Sequence, residues 1–113
     1  MKVKDILNRA ESLGMDIKQF KTGCRHDCYI LSKNDEHMLI IPDDVTKFYE
    51  DDINEHMGDL AGYLKVIGGK NLIDVRYMFD NCNAQSLDLS SFNTNNVTDM
   101  SAMFSGCEAQ SLV

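Results

Sequence analysis

The residues with the clearest potential for chemistry lie together in the sequence CRHDC, in the first third of the chain. Cys24, His26 and Cys28 are residue types that bind zinc. A structural zinc site needs four ligands, however, and the two cysteines do not have the spacing of a CxxC pair. In an extended segment they would also lie too far apart for a mutual disulfide. We therefore expect reduced structural thiols with no metal and no cofactor, and zinc binding is the alternative interpretation.

The sequence lacks the short motifs that mark common catalytic sites. It has no GxSxG segment, no glycine-rich phosphate loop before a helix, and no HExxH arrangement of His26, His37 and His56. Asp51 and Asp52 are adjacent, so on a helix their side chains would point about 100° apart and form a poor acid and base pair. The sequence therefore predicts a protein that is not an enzyme.

Charge is unevenly distributed along the chain. The net charge is −7, yet residues 1–25 hold six of the eleven basic residues against three acids. The acids concentrate instead between Asp43 and Asp59. An acidic run of this kind is commonly a solvated helix face, but it can also attract a basic partner protein and repel nucleic acid phosphate. The candidate acidic patch consists of seven carboxylates, Asp43, Asp44, Glu50, Asp51, Asp52, Glu55 and Asp59.

The last third of the chain contains an internal repeat. Residues 78–87 read MFDNCNAQSL and residues 103–112 read MFSGCEAQSL, so the two copies are 25 positions apart. Similarity at a fixed spacing of this size is typical of stacked structural units that bury their apolar faces against one another. The recurring Cys82 and Cys107 are then most simply small buried residues.

The spacing of apolar residues within one repeat predicts a strand followed by a helix. Leu87 and Leu89 alternate with polar residues, as in a strand with one buried face. The following apolar residues have helical spacing, at Val97, Met100, Phe104 and Cys107. A more divergent unit precedes this one, in which Leu64 and Val66 correspond to the two leucines. Its predicted helix carries Leu72, Asp74, Val75 and Met78, equivalent to Val97, Asp99, Met100 and Met103.

The repeat LDLSSFNTNNVTDMSAMFSGC resembles the BspA-type bacterial leucine-rich repeat, over about residues 64–113. The resemblance implies a solenoid of parallel strands that serves in protein recognition, often on bacterial surfaces. One departure is Asn93, where that family commonly has aspartate.

The residues before the repeats predict a small N-terminal cap domain. A helical stripe runs from Val3 to Leu13 and is ended by Gly14, and a β-hairpin is expected from the apolar runs 28–31 and 37–41. One bent helix or two short ones would follow over residues 45–60. We therefore predict an α+β fold with a cap domain at residues 1–63 and a short leucine-rich-repeat solenoid at residues 64–113. That solenoid would contain about two units and the start of a third, with one helix per repeat.

The predicted function is non-catalytic binding of a partner protein, of bacterial or phage origin. In such a stack, side chains that alternate with the buried leucines lie on the concave sheet, which here gives Lys65, Ile67, Asp88 and Ser90. The partner could instead meet the acidic patch, in which case a basic or nucleic-acid-binding protein is expected. Direct binding of nucleic acid or membrane is not expected.

Two alternatives remain from the sequence. One is an inhibitor encoded by a phage or mobile element, such as an anti-CRISPR protein, that blocks a nucleic-acid-binding enzyme through its acidic surface. The other is a self-assembling element that forms a homodimer through the open C-terminal repeat. The sequence shows no signal peptide and no long apolar span, so a cytoplasmic location is expected.

Overall fold

The described part of the chain forms one sheet of six strands with a helix packed against it. The computed structural model describes residues 2–21, 26–48, 62–76, 78–79, 84–98 and 111–112. The elements are α1 (Val3–Ser12), β1 (Asp16–Lys21), β2 (Asp27–Lys33), β3 (Glu36–Ile41), β4 (Gly62–Gly68), β5 (Ala84–Asp88) and β6 (Ser111–Leu112). The strands lie side by side in chain order. β1, β2 and β3 pair antiparallel, whereas β3, β4, β5 and β6 pair in parallel.

The predicted N-terminal helix is confirmed as α1. Its buried residue Ala10 packs against Leu31 and Ile40 of the sheet, with further apolar side chains of the same helical stripe around them. The helix ends at Ser12, and Gly14 follows two residues later with a φ of 74°, in the left-handed region that glycine tolerates best. The backbone N–H of Met15 then donates to the carbonyl of Ala10 at 3.0 Å, which closes the last turn.

The predicted β-hairpin is confirmed as β2 and β3. Lys33 pairs with Glu36 at the end of the hairpin, and the turn between them contains Asn34 with a φ of 55°. Asparagine is one of the few residues other than glycine that adopts this conformation readily.

β1 was not predicted. Phe20 is the buried residue of this edge strand, while the other five side chains are exposed. The exposed residues include Asp16, Lys18 and Lys21, and charged side chains on an edge strand discourage pairing with other chains.

Two apolar clusters lie on opposite faces of the sheet. Under α1 is a small one, which we call the helix-side core, centred on Ala10, Leu31 and Ile40. The main core lies on the other face, where described residues of the segments that follow β3, β4 and β5 pack against the sheet. It consists of Phe20, Cys28, Ile30, Leu39, Ile41, Val45, Phe48, Leu64, Val66, Leu72, Val75, Met78, Phe79, Ala84, Leu87 and Phe92.

The predicted fold class, a leucine-rich-repeat solenoid with one helix per repeat, is wrong. Within the described residues α1 is the single helix, and it precedes the repeats. Where the first repeat helix was expected, the chain makes separate turns. The N–H of Leu72 donates to the carbonyl of Gly69 at 3.0 Å, and the N–H of Met78 donates to that of Val75 at 3.1 Å. Each turn returns an apolar side chain to the main core after three residues, which produces the spacing that had indicated a helix.

The backbone between these turns bonds to the neighbouring repeat. Lys47 and Asp74 form a parallel bridge, and the N–H of Ile73 donates to the carbonyl of Thr46 at 2.8 Å. The N–H of Thr98 in turn donates to the carbonyl of Ile73 at 2.8 Å. In a helix these N–H and carbonyl groups would bond to residues four positions away in the same segment. Here they bond to the neighbouring segment instead, so the predicted helix does not form at this position.

Two asparagines reinforce the same stacking. The side-chain amide of Asn71 donates to the carbonyl of Asp43 at 2.6 Å, and that of Asn96 donates to the carbonyl of Lys70 at 2.9 Å. Successive units are therefore joined by side chains as well as by backbone. The remainder of the helices predicted over 45–60 and 97–107 lies outside the described residues, beyond Phe48 and Thr98.

The predicted boundary between residues 63 and 64 falls inside β4. All of β3 pairs with β4, from Glu36 opposite Tyr63 to Ile41 opposite Gly68. The sheet is therefore continuous across this position. The division into two domains stays a prediction.

Candidate functional site

The candidate site lies on the sheet face that carries α1. Leu64 and Val66 point into the main core, so alternation along β4 places Tyr63, Lys65 and Ile67 on the other face. In β5, Leu87 points into the main core and Asp88 lies opposite Lys65 in the register. The parallel pairing of β4 and β5 therefore brings Lys65 and Asp88 together, although they are 23 positions apart in the sequence.

A hydrogen-bonded group of polar side chains surrounds Asp88. The Tyr63 hydroxyl donates to Asp88 Oδ2 at 2.8 Å. The backbone N–H and the hydroxyl of Ser90 donate to Asp88 Oδ1, at 3.0 Å and 2.5 Å. We call Tyr63, Lys65, Asp88 and Ser90 the sheet cluster. Three of its members were expected at the site, and the structure adds Tyr63.

These contacts set the ionisation of two groups. The hydroxyl and the backbone N–H of Ser90, followed by the Tyr63 hydroxyl, lower the pKa of Asp88 from its usual value to about 2. The same carboxylate accepts the Tyr63 hydrogen bond and thereby raises the pKa of Tyr63. Asp88 is thus an anion and Tyr63 a neutral donor at physiological pH. A carboxylate with so low a pKa is a weak general base, which suits recognition better than proton transfer.

We expect the Asp88 carboxyl to titrate with a midpoint near pH 2, and Ser90→Ala to raise that midpoint toward the ordinary value. Because the folded-state pKa is lowered, the bonds to Asp88 stabilise the fold fully above about pH 4, the unfolded value. This contribution is lost as pH falls through about 2. Carbon-detected NMR of the aspartate carboxyls measures the midpoint. An unchanged midpoint in Ser90→Ala would contradict the assigned cause.

Ile67 differs from the other residues predicted for the concave sheet. It is half-buried and packs against the helix-side core, next to Ala10 and Ile40. The presence of α1 on this face therefore divides the predicted surface. Ile67 lies beside the helix, whereas the sheet cluster lies toward the start of β4 and on the neighbouring β5.

Two of the seven acidic-patch residues lie within the described part of the chain. Asp44 Oδ2 is 3.3 Å from His26 Nδ1, and the backbone carbonyl of Asp43 accepts the Asn71 amide. Asp44 thus links the segment after β3 to the start of β2, and Asp43 links it to the turn after β4. Glu50, Asp51, Asp52, Glu55 and Asp59 lie outside the described residues, so the inhibitor hypothesis stays a prediction.

The CRHDC segment is divided by the fold. Cys28 is fully buried in the main core, while His26 faces Asp44. Cys24 lies outside the described residues. Across the described part of the chain, no group of three or more histidine, cysteine, aspartate or glutamate residues could hold a metal ion.

Comparison with known proteins relates the repeats to a sequence family. A family model described as "Mycoplasma protein of unknown function, DUF285" matches residues 45–112, more than half of the chain. The chain belongs to the DUF285 family. No curated protein and no solved structure matches it.

The DUF285 match coincides with the stacked units of the structure. It begins at Val45, next to Thr46, whose carbonyl receives the first backbone bond between connecting segments. It includes β4, β5 and β6 and therefore the whole sheet cluster, whereas α1 and β1 to β3 precede it. The candidate site thus belongs to the DUF285 part of the chain. In the described part of the chain, no helix has the length and apolar character needed to cross a membrane.

Proposed function

We propose that this DUF285 protein is a non-catalytic binding module that contacts a partner protein through the sheet cluster. The observation that carries the proposal is the fixed arrangement of Tyr63, Lys65 and Asp88 on two paired strands. Tyr63 is held by its bond to Asp88, and Lys65 lies opposite that carboxylate in the register. Side chains that are oriented in advance lose less conformational entropy when a partner binds.

The composition of the sheet cluster suits protein recognition. Tyrosine is enriched among the residues that dominate binding energy, since its ring offers apolar area and its hydroxyl a polar contact. A cation beside an anion favours a partner with the opposite arrangement of charges, which fixes the orientation of the complex. All four residues are partly or fully exposed.

The resemblance of the repeat to BspA-type leucine-rich repeats supports the same proposal. That resemblance implies protein recognition by residues beside the buried strand leucines. Lys65 and Asp88 occupy such positions, next to Leu64 and Leu87. We therefore propose the same role for this chain, although its described connecting segments form turns where helices were predicted.

Replacing Lys65 with glutamate should weaken partner binding by about tenfold, while the free energy of unfolding falls by no more than about 1 kcal/mol. The change places a second negative charge opposite Asp88 and removes the cation that a partner carboxylate would contact. Lys70→Glu provides a control with the same change in charge, because Lys70 is exposed in the turn after β4.

The measurement is a comparison of affinity for a partner recovered with the wild-type chain, at two salt concentrations. We expect Lys65→Glu to lose affinity and Lys70→Glu to stay within about twofold of wild type. Equal affinity of the two variants would contradict the proposed surface.

A further inference from the structure

An apolar groove lies between α1 and the sheet, separate from the sheet cluster. Its volume is about 400 Å³, within the range of small-molecule sites. Ile6 and Leu13 of the helix side line it together with Met38 and Ile67 of the sheet. Leu13 is 52% exposed, so the groove opens to solvent at that side chain.

The lining of the groove is apolar with one cationic side chain. Among the described residues it is lined by Ile6, Arg9, Ala10, Leu13, Met15, Met38 and Ile67, and Arg9 is the charged one of these. The lining surface is almost wholly apolar, so Arg9 lines the groove with its aliphatic stem. Within the described residues the guanidinium of Arg9 makes no hydrogen bond and no ion pair. Nearby, the Lys33 ammonium donates to the carbonyl of Leu13 at 3.0 Å, so a second cation lies near this end of α1. The ligand chemistry complementary to this lining is an apolar chain that ends in an anion.

We propose that this groove binds a single-chain amphiphile with an anionic head, such as a fatty-acid carboxylate. The chain would lie along Ile6, Met38 and Ile67, and the carboxylate would meet the guanidinium of the exposed Arg9 side chain at the mouth of the groove. Guanidinium groups bind carboxylates through two parallel hydrogen bonds. Methionine side chains adapt to flexible apolar ligands, and Met15 and Met38 supply two of the walls.

The size of the groove favours a single chain over a protein segment. A stable protein interface uses about 20–30 residues on each side. Seven of the described residues line this groove, and they come from α1, the residues just after it, and two strands. The site is independent of the sheet cluster, with which it shares no residue, so it could be present whether or not the proposed protein partner is found.

The test is titration of the full chain with three ligands that share a twelve-carbon chain, each below its critical micelle concentration. We expect dodecanoate to bind saturably, and dodecanol and dodecyltrimethylammonium to bind at least about tenfold more weakly. Labelled methionine methyl groups report the location by NMR. The Met15 and Met38 signals should shift, whereas that of Met78, which is fully buried in the main core, should not.

Two pairs of variants separate the contribution of the head from that of the chain. Arg9→Glu should weaken dodecanoate binding by about tenfold, and Lys18→Glu, with the same change in charge on β1, should have little effect. Leu13→Ala should weaken it by about threefold, against little effect of Ile17→Ala, because Ile17 is also exposed but lies outside the groove. All four side chains are exposed, so these variants should fold.

Three results would each overturn this proposal. They are equal affinity for dodecanoate and dodecyltrimethylammonium, full affinity in Arg9→Glu, and shifts of the Met15 and Met38 signals with protein concentration alone. The last result would mean that a second copy of the chain occupies the groove.

Discussion

Replacing Phe48 with alanine is expected to lower the free energy of unfolding by about 3–5 kcal/mol. Phe48 is fully buried in the main core. Its ring meets that of Phe20 edge-on, with centroids 6.2 Å apart and planes at 88°. It therefore joins β1, at the edge of the sheet, to the first of the connecting segments.

The loss should exceed the cost of removing apolar area alone. The Phe48 N–H donates to the carbonyl of Asp74 at 3.0 Å, so the backbone at this position is fixed by the next repeat and cannot readily close the cavity. The edge-on contact with Phe20 adds about 0.5–1.5 kcal/mol.

Urea unfolding of both this variant and Ile73→Ala would measure the effect. Ile73 lies in the adjacent connecting segment with 42% of its surface exposed, so its truncation should cost less than about 1 kcal/mol. A similar loss for both variants would mean that Phe48 is not in a packed core.

Gly62→Ala is expected to destabilise the fold by about 2–5 kcal/mol. Gly62 begins β4 with a φ of 88°, a conformation that costs other residues about 1–2 kcal/mol. An added Cβ would also collide with the backbone carbonyl and the Cβ of Asp35. That carbonyl accepts the Tyr63 N–H at 2.9 Å, so it cannot move away without loss of a hydrogen bond.

Gly14→Ala is the matched control, because it has a similar φ of 74° but nothing within 4 Å of the added Cβ. It should cost about 1–2 kcal/mol, from backbone strain alone. The difference in unfolding midpoint between the two variants isolates the contact with Asp35. If both variants lose the same stability, β4 does not approach the hairpin turn as closely as described.

The sequence predicts those elements whose apolar pattern has a single structural explanation. The stripe of α1 and its end just before Gly14 are of this kind, as are the two apolar runs of the β2 and β3 hairpin. β1 has no such pattern, since Phe20 is its one buried residue. Nothing local distinguishes such an edge strand from a polar loop.

The prediction of a helix in each repeat is wrong because two different structures give the same spacing of apolar residues. Apolar residues three positions apart suit one face of a helix, and they also suit consecutive turns that each return to the core, as at Leu72, Val75 and Met78. The difference lies in the backbone partners. Ile73 bonds to Thr46 and Thr98 of the neighbouring segments, and such long-range pairing has no signature within one repeat.

Part of the candidate site follows from alternation alone. Lys65 and Asp88 could be placed on one face because each is adjacent to a buried leucine in a strand. The same rule places Tyr63, two residues before Lys65, on that face as well. The position of α1 over Ile67 could not be predicted, because it depends on how distant apolar stripes pack together.

The most direct test of the proposed binding function is photo-crosslinking from defined positions of the full chain. A benzophenone side chain replaces Ser86, which pairs with Tyr63 on the sheet, or Ile73, which is exposed on the segment across the main core. If the sheet cluster contacts the partner, position 86 crosslinks the protein recovered with the wild-type chain and position 73 does not. Crosslinking of that partner from position 73, with none from position 86, would contradict the account.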